Sequence, residues 1–353
     1  MRVLIVGAGP TGLTTAVELA RRGIAPTIID RRAASSTLSR AVGITPRSLQ
    51  ALSESGVAER LIDAGVAMDS ARIYRGKQLA LQLRLHSDRA YFPTILGLPQ
   101  DQTETIMADV LAGMGEAARY GVALEQLQDT GAEVIAQLSD GTEQAFDVVV
   151  GADGIGSTVR QAANIDYPGF DLEETWSIAD VHADDWAHDS SLTLIQVEPG
   201  IVMVVVPMAE SRYRLVASHP DVLKVLPLPL NVTRINREGT FTISVRQAET
   251  YSKGRIHLAG DAAHCHSPVG GRGMNLGIAD AAELARCIAA DDLGNYSPHR
   301  HHEGADTIAA TERARAMVSG RGWSRRFVFG SMLRMASMIP PLQQRLGRLL
   351  VEF

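Results

Sequence analysis

The chain has 353 residues, more than the roughly 100–200 that one domain usually takes, so two domains are expected. Hydrophobic residues at 45% and charged residues at 21% describe an ordinary globular composition and exclude a disordered one. The net charge of -6 supplies no basic field for nucleic acid, and two cysteines, Cys265 and Cys287, are too few for a disulfide framework or a zinc cluster.

The chain opens on Val3–Val6, a continuous apolar run of the kind buried on both faces of a parallel sheet. Gly7, Gly9 and Gly12 follow, then Leu13, Ala16, Val17 and Ala20 at helical spacing, with Gly23 as a C-cap. A second strand, Pro26 to Ile29, ends at Asp30. This is a βαβ unit with a dinucleotide fingerprint. Gly7 permits the tight turn, Gly9 lets backbone approach a pyrophosphate, Gly12 allows close helix–strand packing, and Asp30 can accept hydrogen bonds from a ribose diol. Arg31 and Arg32 read either as solvated strand-end residues or as partners of a 2′-phosphate. The opening does not have the form of an export signal, so a cytoplasmic setting is expected.

A helix and turn are expected after residue 43, short strands over 70–98, and a helix from about Thr103 to Ala118. Two strand-like runs then flank a glycine turn, and Asp140-Gly141 turns into FDVVVGADG. Residues 170–250 alternate strand-like runs with turns, unlike the opening, and read as an inserted sheet domain. The run GIVMVVVPMA at 200–209 is too short to cross a bilayer, and no membrane span is expected. GRIHLAGDAAH resumes the buried-strand style, and 303–353 is helical in pattern with a break at Pro340-Pro341. The arginines of that end suit helices packed on the first domain, with a membrane-surface helix as the alternative.

The stretch LAGDAAHCHSPVGGRGMNLGIADA at 258–281 poses the main chemical question. As metal ligands, His264 and His266 would act from i and i+2, which point opposite ways in an extended segment, and no second ligand cluster accompanies them; no metal is expected. Cys265 as a nucleophile lacks a defined base. A backbone cradle uses more of the residues: a buried strand ends at Asp261, and a glycine-rich loop feeds a helix starting near Gly273 or Met274, whose N-terminus faces an anion.

GAGPTG with Asp30, GADGIGSTVR at 151–160, and GRIHLAGDAAHCHSPVGGRGMNLGIADA resemble the three FAD fingerprints of the group A flavoprotein monooxygenases, the p-hydroxybenzoate hydroxylase-like aromatic hydroxylases. SRAVGITPRSLQAL and LPQDQTETIMADVLA agree, and the likeness is greatest to the actinobacterial branch acting on polyketide-derived aromatics. The implied fold is α/β: a Rossmann-like FAD-binding domain (1–70, 98–168 and 251–290) interrupted by a β-sheet-rich substrate domain (71–97 and 169–250). A helical C-terminal segment (291–353) would pack on the FAD domain.

The resemblance also implies roles. Gly7, Gly9, Gly12 and Asp30 would hold the ADP half of FAD, with Pro10, Thr11 and Arg31 in the same cofactor-binding set. Arg40 and Gln100 would bind near the pyrophosphate and adenosine ribose, and Asp153 and Gly154 would serve both FAD and the pyridine nucleotide. Gly260 and Asp261 would meet the ribityl chain, and Pro268, Gly270, Gly271, Gly273, Met274 and Asn275 would line the isoalloxazine. NADPH or NADH would reduce FAD transiently, oxygen would add at flavin C4a, and the hydroperoxide would hydroxylate an aromatic substrate. Arg212, Tyr213, Arg214 and Arg246 are substrate-side candidates or, alternatively, cross-strand surface pairs. Epoxidation, Baeyer–Villiger oxygenation and non-redox FAD-dependent cyclisation remain open, as does monomer against homodimer. Two features depart from the branch: Arg272 stands where glutamine is common, and the chain ends at Phe353 where several relatives add a thioredoxin-like domain, which this member is expected to lack.

Overall fold

The computed structural model describes residues 1–35, 41–268, 271–318 and 323–352, the side chains of 323–329 excepted. A six-stranded sheet forms one layer, in the order Ser252–Lys253, Ile256–Leu258, Val148–Gly151, Val3–Val6, Pro26–Asp30, Ala118–Tyr120. All its pairings are parallel except that of Ser252–Lys253. Val3–Val6 and Val148–Gly151 are buried at every position, as expected of central strands covered on both faces. The helices Pro10–Ala20 and Gly273–Ala289 pack together on this sheet.

An antiparallel sheet of eight strands forms the second layer, in the order His264–Cys265, Asn231–Gln247, Gly169–Asp184, Arg212–Ala217, Ile201–Ala209, Ser191–Glu198, Ser70–Arg75, Gln78–Arg84. Only Ser191–Glu198 and Ser70–Arg75 run parallel. Its back face buries Tyr74, Ala179, Val181, Ile195, Met203, Val205, Tyr213 and Leu215 as one cluster. Its front face turns toward the first layer, to which Arg214 reaches across with a hydrogen bond from Nη1 to the Ala41 carbonyl (3.1 Å).

Two local expectations change. The helix read as Thr103–Ala118 runs Gln100–Gly113, and Ala118 opens a strand instead. Pro99 precedes its first turn, and Gly115 at φ +87° leaves the helical region soon after its end. The C-terminal segment does not pack wholly on the first domain. Tyr296–Val318 begins there, its Tyr296 hydroxyl donating to the Leu258 carbonyl (2.7 Å). Trp323–Met338 and Pro340–Glu352 instead bury Leu333, Ala336 and Val351 against Ala71, Leu81 and Leu83 of the eight-stranded sheet. The edge strands there offer an apolar face that needs cover, and the last helices supply it.

Candidate active site

The first fingerprint forms the expected turn, and its three glycines answer to different demands. Gly7 sits at φ +105°, and a Cβ there would overlap the Ala152 carbonyl. A Cβ on Gly12 would overlap the Gly7 carbonyl, so this glycine seats the helix on the turn. Around Gly9, a Cβ would meet no protein atom within 4 Å. The chain's own packing leaves that position open, as backbone approached by a ligand would be. Pro10 occupies the first turn of its helix, which has no side-chain cap and no acidic residue there. Its free N–H groups and dipole therefore face outward unneutralised, a fit for a pyrophosphate.

Asp30 is buried at the end of its strand. Oδ2 accepts from the Ala8 N–H (2.8 Å) and Arg32 Nη2 (2.8 Å), while Oδ1 accepts from the Arg32 N–H (2.8 Å) and Nε (3.0 Å). Burial pushes its carboxyl up, but Arg32 and the two backbone donors outweigh this and hold it below the usual range. Arg31 is exposed, so Arg32 is the arginine that folds back. Gln100 opens its helix, accepting the Ala41 N–H on Oε1 (3.1 Å) and donating to buried Glu104 (2.8 Å). Arg40 and Gly270 lie outside the described residues.

In the second fingerprint Asp153 is occupied locally. It accepts from the Ser157 hydroxyl and from the N–H groups of Thr158 (2.7 Å) and Val159 (3.2 Å), capping the helix Thr158–Ala162. Burial pushes its carboxyl up. Gly154 takes φ +83°, making the turn. Arg160 then ties this loop to the third fingerprint, donating to the carbonyls of Ala262 (2.9 Å) and Ile155 (2.8 Å) with its guanidinium over the Tyr167 ring (3.9 Å). The motif works as a bracket.

The third fingerprint rests on a carboxylate that sequence reasoning passed over. Asp280 is fully buried on the helix Gly273–Ala289, and it accepts from the Gly260 N–H (3.0 Å), Arg300 Nε (2.7 Å) and His264 Nε2. Burial pushes Asp280 up, but His264, Arg300 and the Gly260 N–H hold it below the usual range. The polar position in an otherwise apolar helical stretch was its only sequence signal. Gly260, at φ +62°, and Gly277 both press on Thr11 Oγ1, where a Cβ on either would overlap. Thr11 thus locks the first fingerprint to the third. Asp261 is left exposed at the rim, its carbonyl accepting from the Tyr167 hydroxyl (2.9 Å).

Beyond it, Asn275 pins the loop to residues 43–48. Its Oδ1 accepts from the Thr45 N–H (2.9 Å) and Ser48 hydroxyl (2.8 Å), and its Nδ2 donates to Gly43 (2.9 Å) and Gly271 (3.0 Å). Met274 is buried, Gly271 has φ +64°, and a Cβ on Gly273 would meet nothing within 4 Å. Pro268 is exposed. The helix that starts at Gly273 again lacks a side-chain cap and an acid in its first turn. Arg272 stands beside this N-terminus, its basicity lowered by burial to about 10. His266 is pushed down to about 4 by burial, and its buried Nε2 has no hydrogen-bond partner. The residues present fit FAD: two uncapped helix N-termini, on helices joined through Thr11, and an exposed carboxylate would border one glycine-rich trough for it. Among the described residues, no group of three or more His, Cys, Asp or Glu could hold a metal ion, and no helix is long and apolar enough to cross a membrane.

The four substrate-side candidates separate by strand parity. Arg214 faces front but is 1% exposed, with Nε and Nη2 on the two oxygens of buried Asp180 (2.6 Å each). Tyr213 faces back, its hydroxyl donating to Asp189. Arg246 pairs with Asp171 (3.2 Å) on a neighbouring strand, and Arg212 shares Arg214's face. The front face also holds half-buried Leu192, Leu194, Val204, Val206 and Val216. Leu192 and Val206 join the cluster under the last helices, and Val216 joins one with Trp176 and Ile308. Leu194 and Val204, register partners, lie between the two as an apolar wall.

Comparison with known proteins agrees with this geometry. Residues 1–227 and 221–317 match the family model described as FAD binding domain. The chain is 33% identical to 6-methylpretetramide 4-monooxygenase of Streptomyces rimosus, over 98% of this chain and 67% of that protein, so it spans about two thirds of that relative's length. The crystal structure of p-nitrophenol 4-monooxygenase PnpA from Pseudomonas putida DLL-E4 shares the fold: TM-score 0.89, 22% identity, 99% of this chain and 96% of that one. Diels-Alderase PyrE3 of the pyrroindomycin pathway gives a TM-score of 0.81 at 26% identity, over 99% of this chain and 80% of that one.

Proposed function

The chain belongs to the group A flavoprotein monooxygenases, FAD-dependent enzymes, and we propose that it hydroxylates a phenolic or polyketide-derived aromatic with O2 and NADPH or NADH. The observation that carries the reading is the pair of uncapped helix N-termini, at Pro10 and Gly273, on two helices that meet at Thr11 and Gly277. Bound FAD would supply the chemistry, accepting hydride from the nicotinamide and activating oxygen for transfer to the ring.

The protein's own residues bind, orient and exclude water. The Pro10 helix would hold the pyrophosphate, Asp261 a ribityl hydroxyl, and the backbone of Gly271–Asn275 the edge of the isoalloxazine. Asn275 keeps that loop against Gly43 and Thr45, so the trough has a fixed width. The Gly273 helix dipole, with the Arg272 cation beside it, favours negative charge on the reduced ring. Leu194 and Val204 would take the flat face of the substrate, and the buried Arg214–Asp180 pair holds that sheet to the Ala41 carbonyl. His266, neutral near pH 7 with Nε2 unpartnered, is able to accept a hydrogen bond from a substrate hydroxyl at that nitrogen. A cytoplasmic setting and a monomer or homodimer complete the proposal.

The fold likeness to a protein described as a Diels-Alderase supports a second reading, in which FAD is held and the reaction is a cyclisation without redox turnover. Anaerobic mixing of FAD-loaded protein with NADPH or NADH, with and without a panel of phenols and polyketide-like quinones, separates the two. Flavin bleaching that accelerates with one aromatic class supports the hydroxylase. A flavin that stays oxidised with both nicotinamides and every aromatic supports the cyclase.

A further inference from the structure

The back face of the eight-stranded sheet, away from the trough, gathers polar groups that the oxygenase chemistry does not use. Arg72 and Thr193 are register partners on neighbouring parallel strands, and both point to the side that buries Tyr74 and Ile195. Trp186 lies over the same cluster, edge-on to His188 (centroids 5.2 Å) and to Tyr213 (6.2 Å). His188 Nε2 is bonded to the Tyr74 hydroxyl (2.9 Å), and the Arg72 charge is felt at its ring.

Three buried polar atoms here have no hydrogen-bond partner, Arg72 Nε, Thr193 Oγ1 and Trp186 Nε1, while His188 is hydrogen-bonded to the Ala187 backbone and to Tyr74. Thr193 is wholly buried and Trp186 is 5% exposed. The nearby carboxylate of Asp189, whose charge is also felt at the His188 ring, accepts the Tyr213 hydroxyl on Oδ1, and Asp69 accepts the hydroxyls of Ser70 and Ser190. Arg72 makes no ion pair among the described residues. All three unpartnered atoms can donate, and none has an acceptor among the described residues. Each such group destabilises the fold if left unmatched. A patch of donors around one cation calls for a negative, compact acceptor.

We propose that Arg72, Trp186 and Thr193 form a binding site for one small monovalent anion of the chloride class, separate from the FAD trough. The ion would bind the folded protein alone, tying the loop that carries Trp186 and His188 to the sheet, so it would stabilise the fold by mass action.

The test uses the FAD-loaded protein in two arms. Crystals soaked in sodium bromide should show an anomalous peak within hydrogen-bond reach of Arg72 Nε, Thr193 Oγ1 and Trp186 Nε1. In solution, Tm in sodium chloride should exceed Tm in sodium gluconate of equal ionic strength by about 2 °C or more. That difference should vanish in Arg72→Met and, should that variant not fold, in Thr193→Val. An ordered water with no anomalous signal would overturn the proposal. So would equal Tm in both salts, since a bromide peak without it marks binding at crystal concentration only, and so would a chloride effect retained in the folded variants.

Discussion

The cofactor trough and the apolar wall of the eight-stranded sheet are built on different principles. The trough is made of backbone: a turn at Gly7, a helix seated by Gly12, a second helix starting at Gly273, and bare N–H groups at both helix ends. The wall is made of side chains on alternating faces of an antiparallel sheet, where Arg214 looks toward the trough and its neighbour Tyr213 looks away. Backbone geometry demands particular residues at particular spacings, whereas a wall demands only apolar surface on one parity. The first is therefore tied to one cofactor, and the second is free to vary with substrate.

The largest expected effects come from the glycines and break the trough in two distinguishable ways. Gly12→Ala places a methyl group on the Gly7 carbonyl, so the protein should lose both FAD and much of its stability, several kcal/mol at least. Gly9→Ala meets no protein atom, so the apoprotein should melt within about 1 °C of wild type while FAD binding weakens by tenfold or more. Flavin absorbance after gel filtration and apoprotein melting curves read the two separately. Equal FAD affinity in Gly9→Ala would mean that no ligand approaches that backbone.

One charge removed on each side sharpens the contrast. Asp280→Asn and Asp180→Asn each leave buried cationic partners uncompensated, at a cost of about 3–5 kcal/mol. Asp280 also holds the Gly260 N–H, so its variant should lose FAD affinity, whereas Asp180→Asn should keep FAD and show its defect in substrate KM. Flavin titration of both variants decides this, and equal loss of FAD would show that wall and trough are not separable.

Legibility follows the same divide. Gly7, Gly12 and the helix behind them could be read directly, because a positive φ or a close approach excludes nearly every other residue. Asp280 and Arg300 could not, because a lone polar residue in a helix discloses neither its burial nor its partner from another helix. Asp153 was legible as a motif but not as a cap, since its partners Ser157, Thr158 and Val159 sit in the same motif and mask which group the carboxylate serves. Arg212, Tyr213 and Arg214 were seen as a polar run in a strand, but only the pairing register separates front from back. The last two helices were legible as helices, yet the sheet edge that they cover is distant in sequence and left no local mark.

The smallest expected effect concerns pH and again distinguishes the two layers. His257, buried in the parallel sheet at 2% exposure, is pushed down to about 4 by burial, whereas the wall's His188 is lowered by its burial and by Arg72 while its tip remains bonded to Tyr74. An unfolded histidine takes up its proton near pH 6.5, so between there and pH 4 the unfolded chain binds a proton that folded His257 refuses. Stability therefore falls as pH is lowered through this window, by on the order of 1–2 kcal/mol between pH 7 and pH 5 from this residue. Urea midpoints at the two pH values should differ less in His257→Gln than in wild type. His188→Gln should narrow the difference by a smaller amount, because its ring is only partly withdrawn from solvent. A pH dependence unchanged in His257→Gln would mean that this imidazole is protonated inside the fold, and that the parallel layer is more polar around it than its apolar neighbours Val150 and Leu258 allow.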